Sequence, residues 1–125
     1  TLYSTAGSRA FRILWTLKEM GLDNYKLITM PFPPRFMQKD YLKLNPLGTI
    51  PFFIDGDTQM TESCAVPRYL VDKFGPTPLA VLPHETDYGA YLNWIAHADA
   101  TLTFPQTVAL RYTLQEPDRA PNAAE

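Results

Sequence analysis

The stretch from Ser8 to Gly21, set between two short β-prone runs, limits what this chain can fold into more than any other feature. Arg9, Arg12, Thr16 and Glu19 recur at three- and four-residue steps, while Ala10, Ile13, Leu14, Leu17 and Met20 occupy the other side. That is the period of a helix with one buried stripe, for which Ser8 is a good N-cap and Gly21 a good stop. Before it lies the stub Thr1 to Tyr3 with the small-residue turn Ser4-Thr5-Ala6-Gly7, and after it Tyr25-Lys26-Leu27-Ile28-Thr29-Met30. A helix joining two strands serves as the crossover that a parallel pair needs. A βαβ unit therefore opens the chain.

The remainder extends that unit. Pro31-Phe32-Pro33-Pro34 forbids regular structure, and Gln38 to Leu44 supplies one or two helical turns before Asn45-Pro46-Leu47-Gly48. Ile50 to Ile54 and Thr58 to Met60 flank Asp55-Gly56-Asp57, a hairpin signal that adds an antiparallel pair. Glu62 to Phe74 returns to helical spacing, with Val66, Leu70 and Phe74 four apart and Gly75-Pro76 as terminator. Pro67 falls inside that helix and should cost a hydrogen bond or bend it. The segment from Gly75 to Pro83 holds three prolines and reads as a linker. Beyond it Tyr88, Tyr91, Leu92, Ile95 and Leu102 mark one face of a further helix, which Pro105 should kink or restart.

Composition narrows the function classes. With 125 residues, 46% hydrophobic and 19% charged, the chain suits one globular domain with a fragment beside it, and not a disordered polymer. Eleven Lys and Arg against thirteen Asp and Glu leave a net charge of −2, so there is no electrostatic footprint for nucleic acid or an acidic membrane. A small neutral or zwitterionic ligand suits this balance better. The single cysteine, Cys64, excludes an intramolecular disulfide, a CxxC pair and a cysteine-built zinc site, and points to a reducing compartment. No apolar run approaches membrane-spanning length, and the first residues lack a signal-peptide layout, so a cytoplasmic location is expected. His84 and His97 have no carboxylate or cysteine at metal spacing, and no metal is predicted. The missing initiator Met and the absence of a closing element predict a longer parent molecule.

Several motifs now fall in one order: Leu2-Tyr3 with Ser8, Arg12-Ile13-Leu14-Trp15, Gly21-Leu22, Asn45-Pro46-Leu47-Gly48-Thr49-Ile50-Pro51, Asp55-Gly56-Asp57 and Glu62-Ser63. In that order and spacing the chain resembles the N-terminal half of the cytosolic glutathione S-transferases. The resemblance implies an α/β fold, a thioredoxin-like β-α-β-α-β-β-α domain followed by the beginning of an all-α domain. It divides the chain into a glutathione-binding domain over 1–75, a linker over 76–84, and over 85–125 the first, incomplete part of the helical domain. It also implies glutathione as co-substrate, a small hydrophobic electrophile as second substrate, and a homodimer.

On their own residues the candidate positions allow plainer readings. Ser8 by itself is a helix cap, whereas the resemblance makes it the catalytic hydroxyl that faces the thiol of glutathione, with Ser4 or Thr5 as alternatives and Tyr3 set too deep in the strand. A free thiol ionises near pH 8.5, and a hydroxyl at a helix N-terminus supplies both a donor and a favourable dipole. Ile50-Pro51 by itself is an ordinary trans pair. The resemblance makes Pro51 a cis-proline and leaves the backbone of Ile50 to pair with the cysteinyl residue of glutathione as an added strand would. Glu62 and Ser63 by themselves form a capping pair. In the resemblance Ser63 and nearby amides hold the γ-glutamyl carboxylate and Glu62 faces its ammonium. Thr49 is a further candidate glutathione contact. Gln38 and Lys39 lie near the place for the glycyl carboxylate, which stays unassigned. Cys64 reads as buried filler. Trp94, His97, Thr101 and Phe104 share a helical face, which usually means core.

The expected function is conjugation of the glutathione thiolate to a hydrophobic electrophile, a detoxifying transfer. The alternatives are a non-catalytic glutathione- or partner-binding module of the same fold, or a glutathione-dependent peroxidase, dehalogenase or isomerase.

Overall fold

The computed structural model describes residues 1–115, which divide into two compact units, Thr1–Ala80 and the residues from Val81 onward. In the first unit β1 (Leu2–Ser4), α1 (Ala10–Glu19) and β2 (Leu27–Thr29) form the βαβ opening, with Leu2 opposite Leu27 in a parallel pair. Short helices α2 (Pro34–Met37) and α3 (Tyr41–Leu44) precede β3 (Phe52–Asp55), β4 (Thr58–Met60) and α4 (Ala65–Phe74). The strands form one mixed sheet in the order β2-β1-β3-β4, with β3 antiparallel to both β1 and β4. This is the thioredoxin-like arrangement expected from the sequence.

Alternation along the strands separates two packed faces. Leu2 and its cross-strand partner Phe53 join Ile13 and Leu17 of α1 and Val66 and Leu70 of α4 in one buried cluster. Tyr3 and its partner Phe52 point the other way, onto Tyr41 of α3, with ring centroids 5.5 Å and 6.3 Å from the tyrosine. Each fully buried aliphatic side chain contributes about 1.5–3 kcal/mol, so the α1 stripe read from the sequence anchors this layer.

Chain reversals follow local chemistry. Gly21, at φ +65°, ends α1: its N–H bonds to the Lys18 carbonyl at 3.0 Å, and that of Leu22 to the Leu17 carbonyl at 2.9 Å. Such a paired closure needs a left-handed residue after the cap, which glycine adopts at least cost. The β3–β4 hairpin turns through Gly56-Asp57, where only Gly56 has positive φ, the pattern of a type II′ turn.

Two expectations are corrected. Pro34 does not forbid structure but opens α2 at its first position, where a missing N–H costs nothing. Pro67 is the third residue of α4, within the first turn, whose amides have no intrahelical acceptor, so no helical bond is lost. Ser8 precedes α1 by two residues, with Arg9 between, and its Oγ still accepts the Ala10 amide at 3.3 Å, so the hydroxyl serves the helix entrance as expected. Gly75 does end α4 as expected, in an extended conformation, and a Cβ there would lie 2.7 Å from the Val71 carbonyl oxygen.

In the second unit α5 (Tyr88–His97) passes into a π-helical stretch, Ala98–Thr103, and then into α6 (Phe104–Leu110), which carries Pro105 at its second position. The Thr103 hydroxyl donates to the Ala98 carbonyl at 2.6 Å, inside the widened turn. Trp94 and Phe104 are 64% and 66% exposed, so the aromatic stripe is not core among the described residues. No helix among them is long and apolar enough to cross a membrane.

Candidate functional site

The registers bring the predicted residues to one end of the sheet. Tyr3 lies opposite Phe52, and Phe53 opposite Met60. One residue further along, the end of β1, the start of β3 and the exit from β4 therefore meet at the same edge. The turn into α1 and the start of α4 open from that edge. At this end of the sheet β1 lies between β2, its parallel neighbour reached through α1, and the antiparallel β3. An open cleft of about 330 Å³ at the opposite end, lined by Leu17, Leu22, Tyr25, Phe53 and Asp55, contains none of the candidate residues.

Ser8 sits at the close of a turn in which its N–H bonds to the Thr5 carbonyl at 3.1 Å and Gly7 takes φ +73°. Its Oγ accepts from two amides, Thr5 at 3.4 Å and Ala10 at 3.3 Å. With both lone pairs engaged, its proton remains to donate outward. The neighbouring hydroxyls differ. Thr5 Oγ1 donates to the Met30 carbonyl at 2.9 Å, and Ser4 is buried in β1.

The Ile50–Pro51 bond is cis. The loop before it is held from beneath by Asn45, a buried residue whose Nδ2 donates to the Thr49 carbonyl at 3.0 Å and whose Oδ1 accepts the Leu47 amide at 3.2 Å. The Tyr41 hydroxyl donates to the same Thr49 carbonyl at 2.8 Å. Burial pushes the Tyr41 phenol above its ordinary pKa, against a smaller opposing effect from the Asn45 hydrogen bond. Thr49 is thus fixed by its backbone. The amide and carbonyl of Ile50 have no hydrogen-bond partner among the described residues.

At the start of α4 the Glu62 carbonyl accepts the amides of Ala65 and Val66, each at 3.1 Å, and the Glu62 side chain is exposed. Ser63 is only 5% exposed, and its hydroxyl makes no cap to the helix. Instead Arg12 Nη1 donates to Ser63 Oγ at 2.9 Å and to Cys64 Sγ at 3.0 Å. The plain capping reading of Ser63 therefore fails, and Cys64 is half-buried beside a cation instead of being inert filler. In the sequence Arg12 belongs only to a polar helix face and a motif. Its signal was a cation in the first turn of a helix, where the dipole disfavours positive charge unless a partner holds it.

Gln38 and Lys39 are exposed between α2 and α3. His97 stacks edge-on against Trp94 with centroids 5.0 Å apart, and His84 is exposed. Among the described residues no three His, Cys, Asp or Glu side chains gather as a metal ion would need.

The sequence pattern of the glutathione S-transferase N-terminal domain matches residues 1–72. The chain belongs to the glutathione S-transferase family. Among curated members it is 39% identical over 80 residues to Glutathione S-transferase 1 of Dianthus caryophyllus, covering 62% of this chain and 36% of that one. It is 32% identical over 108 residues to Glutathione S-transferase 3 of Schizosaccharomyces pombe, covering 81% of this chain and 41% of the relative. The chain thus spans less than half the length of these two family members. A glutathione transferase homolog from Lodderomyces elongisporus, solved with two GSH per subunit, superposes at a TM-score of 0.80 over 98% of this chain and 60% of its own, at 21% identity. A Bombyx mori glutathione transferase superposes at 0.69 over 90% of this chain and 51% of its own, at 27% identity.

Proposed function

We propose that this chain supplies the glutathione site of a transferase that conjugates the tripeptide to a hydrophobic electrophile. The observation that carries the reading is the Ser8 hydroxyl, which accepts two amides at the entrance to α1 and keeps its proton for an incoming sulfur. A donor at that place, with the positive end of α1 behind it, stabilises the thiolate over the thiol and lowers the pKa of the bound cysteine. The Thr5 hydroxyl already donates its hydrogen bond to the Met30 carbonyl, so Ser8 is the better candidate of the two.

The other candidates take the remaining parts of the tripeptide. The unpartnered backbone of Ile50, presented by Pro51, pairs with the cysteinyl amide and carbonyl. Ser63 holds the γ-glutamyl carboxylate and exposed Glu62 its ammonium, while Thr49 lines the approach. In the reaction the glutathione sulfur forms a bond to an electrophilic carbon, and the bond from that carbon to its leaving group breaks, the group departing with the electron pair. Ser8 withdraws its hydrogen bond as negative charge leaves the sulfur.

The test is titration of the bound thiol by ultraviolet thiolate absorbance against pH, with turnover of an activated aryl halide alongside. Wild-type protein should show thiolate near neutral pH. Ser8→Ala should move the transition upward and lower turnover about 100-fold, the scale for removing one donor to a reacting anion. Binding with an unshifted thiol and no turnover of the halide, a hydroperoxide or a maleyl compound would leave a non-catalytic module.

A further inference from the structure

We infer that Arg12 is a positioning residue for recognition of the γ-glutamyl carboxylate, acting through Ser63; the inference rests on the glutathione reading above. An Nη group of arginine carries two hydrogens, and the two contacts from Nη1, to Ser63 Oγ at 2.9 Å and Cys64 Sγ at 3.0 Å, match them. Held in this way, Nη1 spans two successive residues at the opening of α4 and fixes the guanidinium against that turn. A hydroxyl that accepts from a cation cannot turn its proton back toward it, so the Ser63 proton points away from Arg12. The charged donor also polarises the O–H and strengthens the bond that it gives to an anion.

The surroundings of Ser63 agree with that role. Its hydroxyl makes no helix cap, and its amide has no hydrogen-bond partner among the described residues. Hydroxyl and amide together form a two-donor site for a carboxylate. The cation that orients this site comes from α1, the helix that carries Ser8 at its entrance. Arg12 thereby ties the γ-glutamyl end of the ligand to the element that faces the thiol.

The test compares glutathione with 4-aminobutyryl-cysteinyl-glycine, which lacks only the γ-glutamyl carboxylate, by calorimetric titration of the intact protein. Wild-type protein should prefer glutathione. Arg12→Gln should weaken glutathione binding about tenfold, the scale of one charge-assisted hydrogen bond, and leave the analogue within about twofold. In a Ser63→Ala background Arg12→Gln should cause little further loss. Equal weakening of both ligands by Arg12→Gln would overturn the inference, because a merely structural residue moves both. No glutathione binding by the wild type would instead remove the functional reading beneath it. If Arg12→Gln does not fold, the preference is read on Arg12→Lys, where a reduced preference supports the inference and an unchanged one overturns it.

Discussion

The two units differ in what holds them. In the first, Leu2, Ile13, Val66 and Leu70 are essentially inaccessible to solvent, and strands and helices each supply part of one cluster. In the described part of the second, Thr103 is the one buried residue, while Trp94, Leu102, Phe104, Leu110 and Leu114 are exposed. Both contain helices of similar length, so helix formation does not separate them. Among the described residues the difference is a second layer: an apolar stripe stabilises only when another element covers it, and most helical stability in proteins comes from that cover.

The strongest way to break this comparison is a matched pair of truncations. Ile13→Ala should cost about 2–5 kcal/mol in urea unfolding of the 125-residue chain, the range for emptying a packed site. Leu102→Ala, an exposed position, should cost less than about 0.5 kcal/mol. Equal losses would mean that the second unit has a core of its own.

A second variant asks whether polar groups also organise the first unit. Asn45→Ala removes a buried amide that serves Thr49 and Leu47, leaving the Leu47 amide without its acceptor. The cost should be about 1–3 kcal/mol, with weakened glutathione binding, since the same loop carries Ile50. Gly75→Ala sharpens the steric side. Its φ of −69° suits any residue, so the whole effect comes from the Cβ that would meet the Val71 carbonyl oxygen at 2.7 Å. A loss of about 1–2 kcal/mol in thermal unfolding is expected. A neutral result would mean that the end of α4 yields without cost.

These positions also mark what was legible in the sequence. The Ser8–Gly21 stripe and the Asp-Gly hairpin were readable because period and turn chemistry are local. Gly21 announced its own cap for the same reason. Pro67 misled because its cost depends on its offset from the first helical residue, and helix boundaries are the least readable feature of a sequence. The Arg12–Ser63 contact joins residues 51 apart in the chain, and no local rule pairs them. Ser63 was legible as a hydroxyl near a helix start. Which atom occupied its lone pair was decided by tertiary packing of α1 on α4.

The smallest expected effect is electrostatic and concerns the far end of the same unit. Asp55 at the end of β3 accepts from Lys73 Nζ at 2.7 Å and from the Tyr69 hydroxyl at 2.8 Å, tying the hairpin to α4. Lys73 first, then Tyr69, holds the Asp55 carboxyl below its ordinary pKa. Its contribution is therefore complete above the unfolded value, about 3.9, and is lost as pH falls through the depressed folded value. The pair is largely solvated, with Lys73 47% and Asp55 30% exposed, so solvent screening keeps its contribution at neutral pH small. Asp55→Asn should thus lower stability slightly at pH 7 and flatten the fall in melting temperature below about pH 4. An unchanged acid limb would show that Lys73 releases Asp55 to solvent, leaving the hairpin and α4 joined by apolar packing of Phe53 against Tyr69.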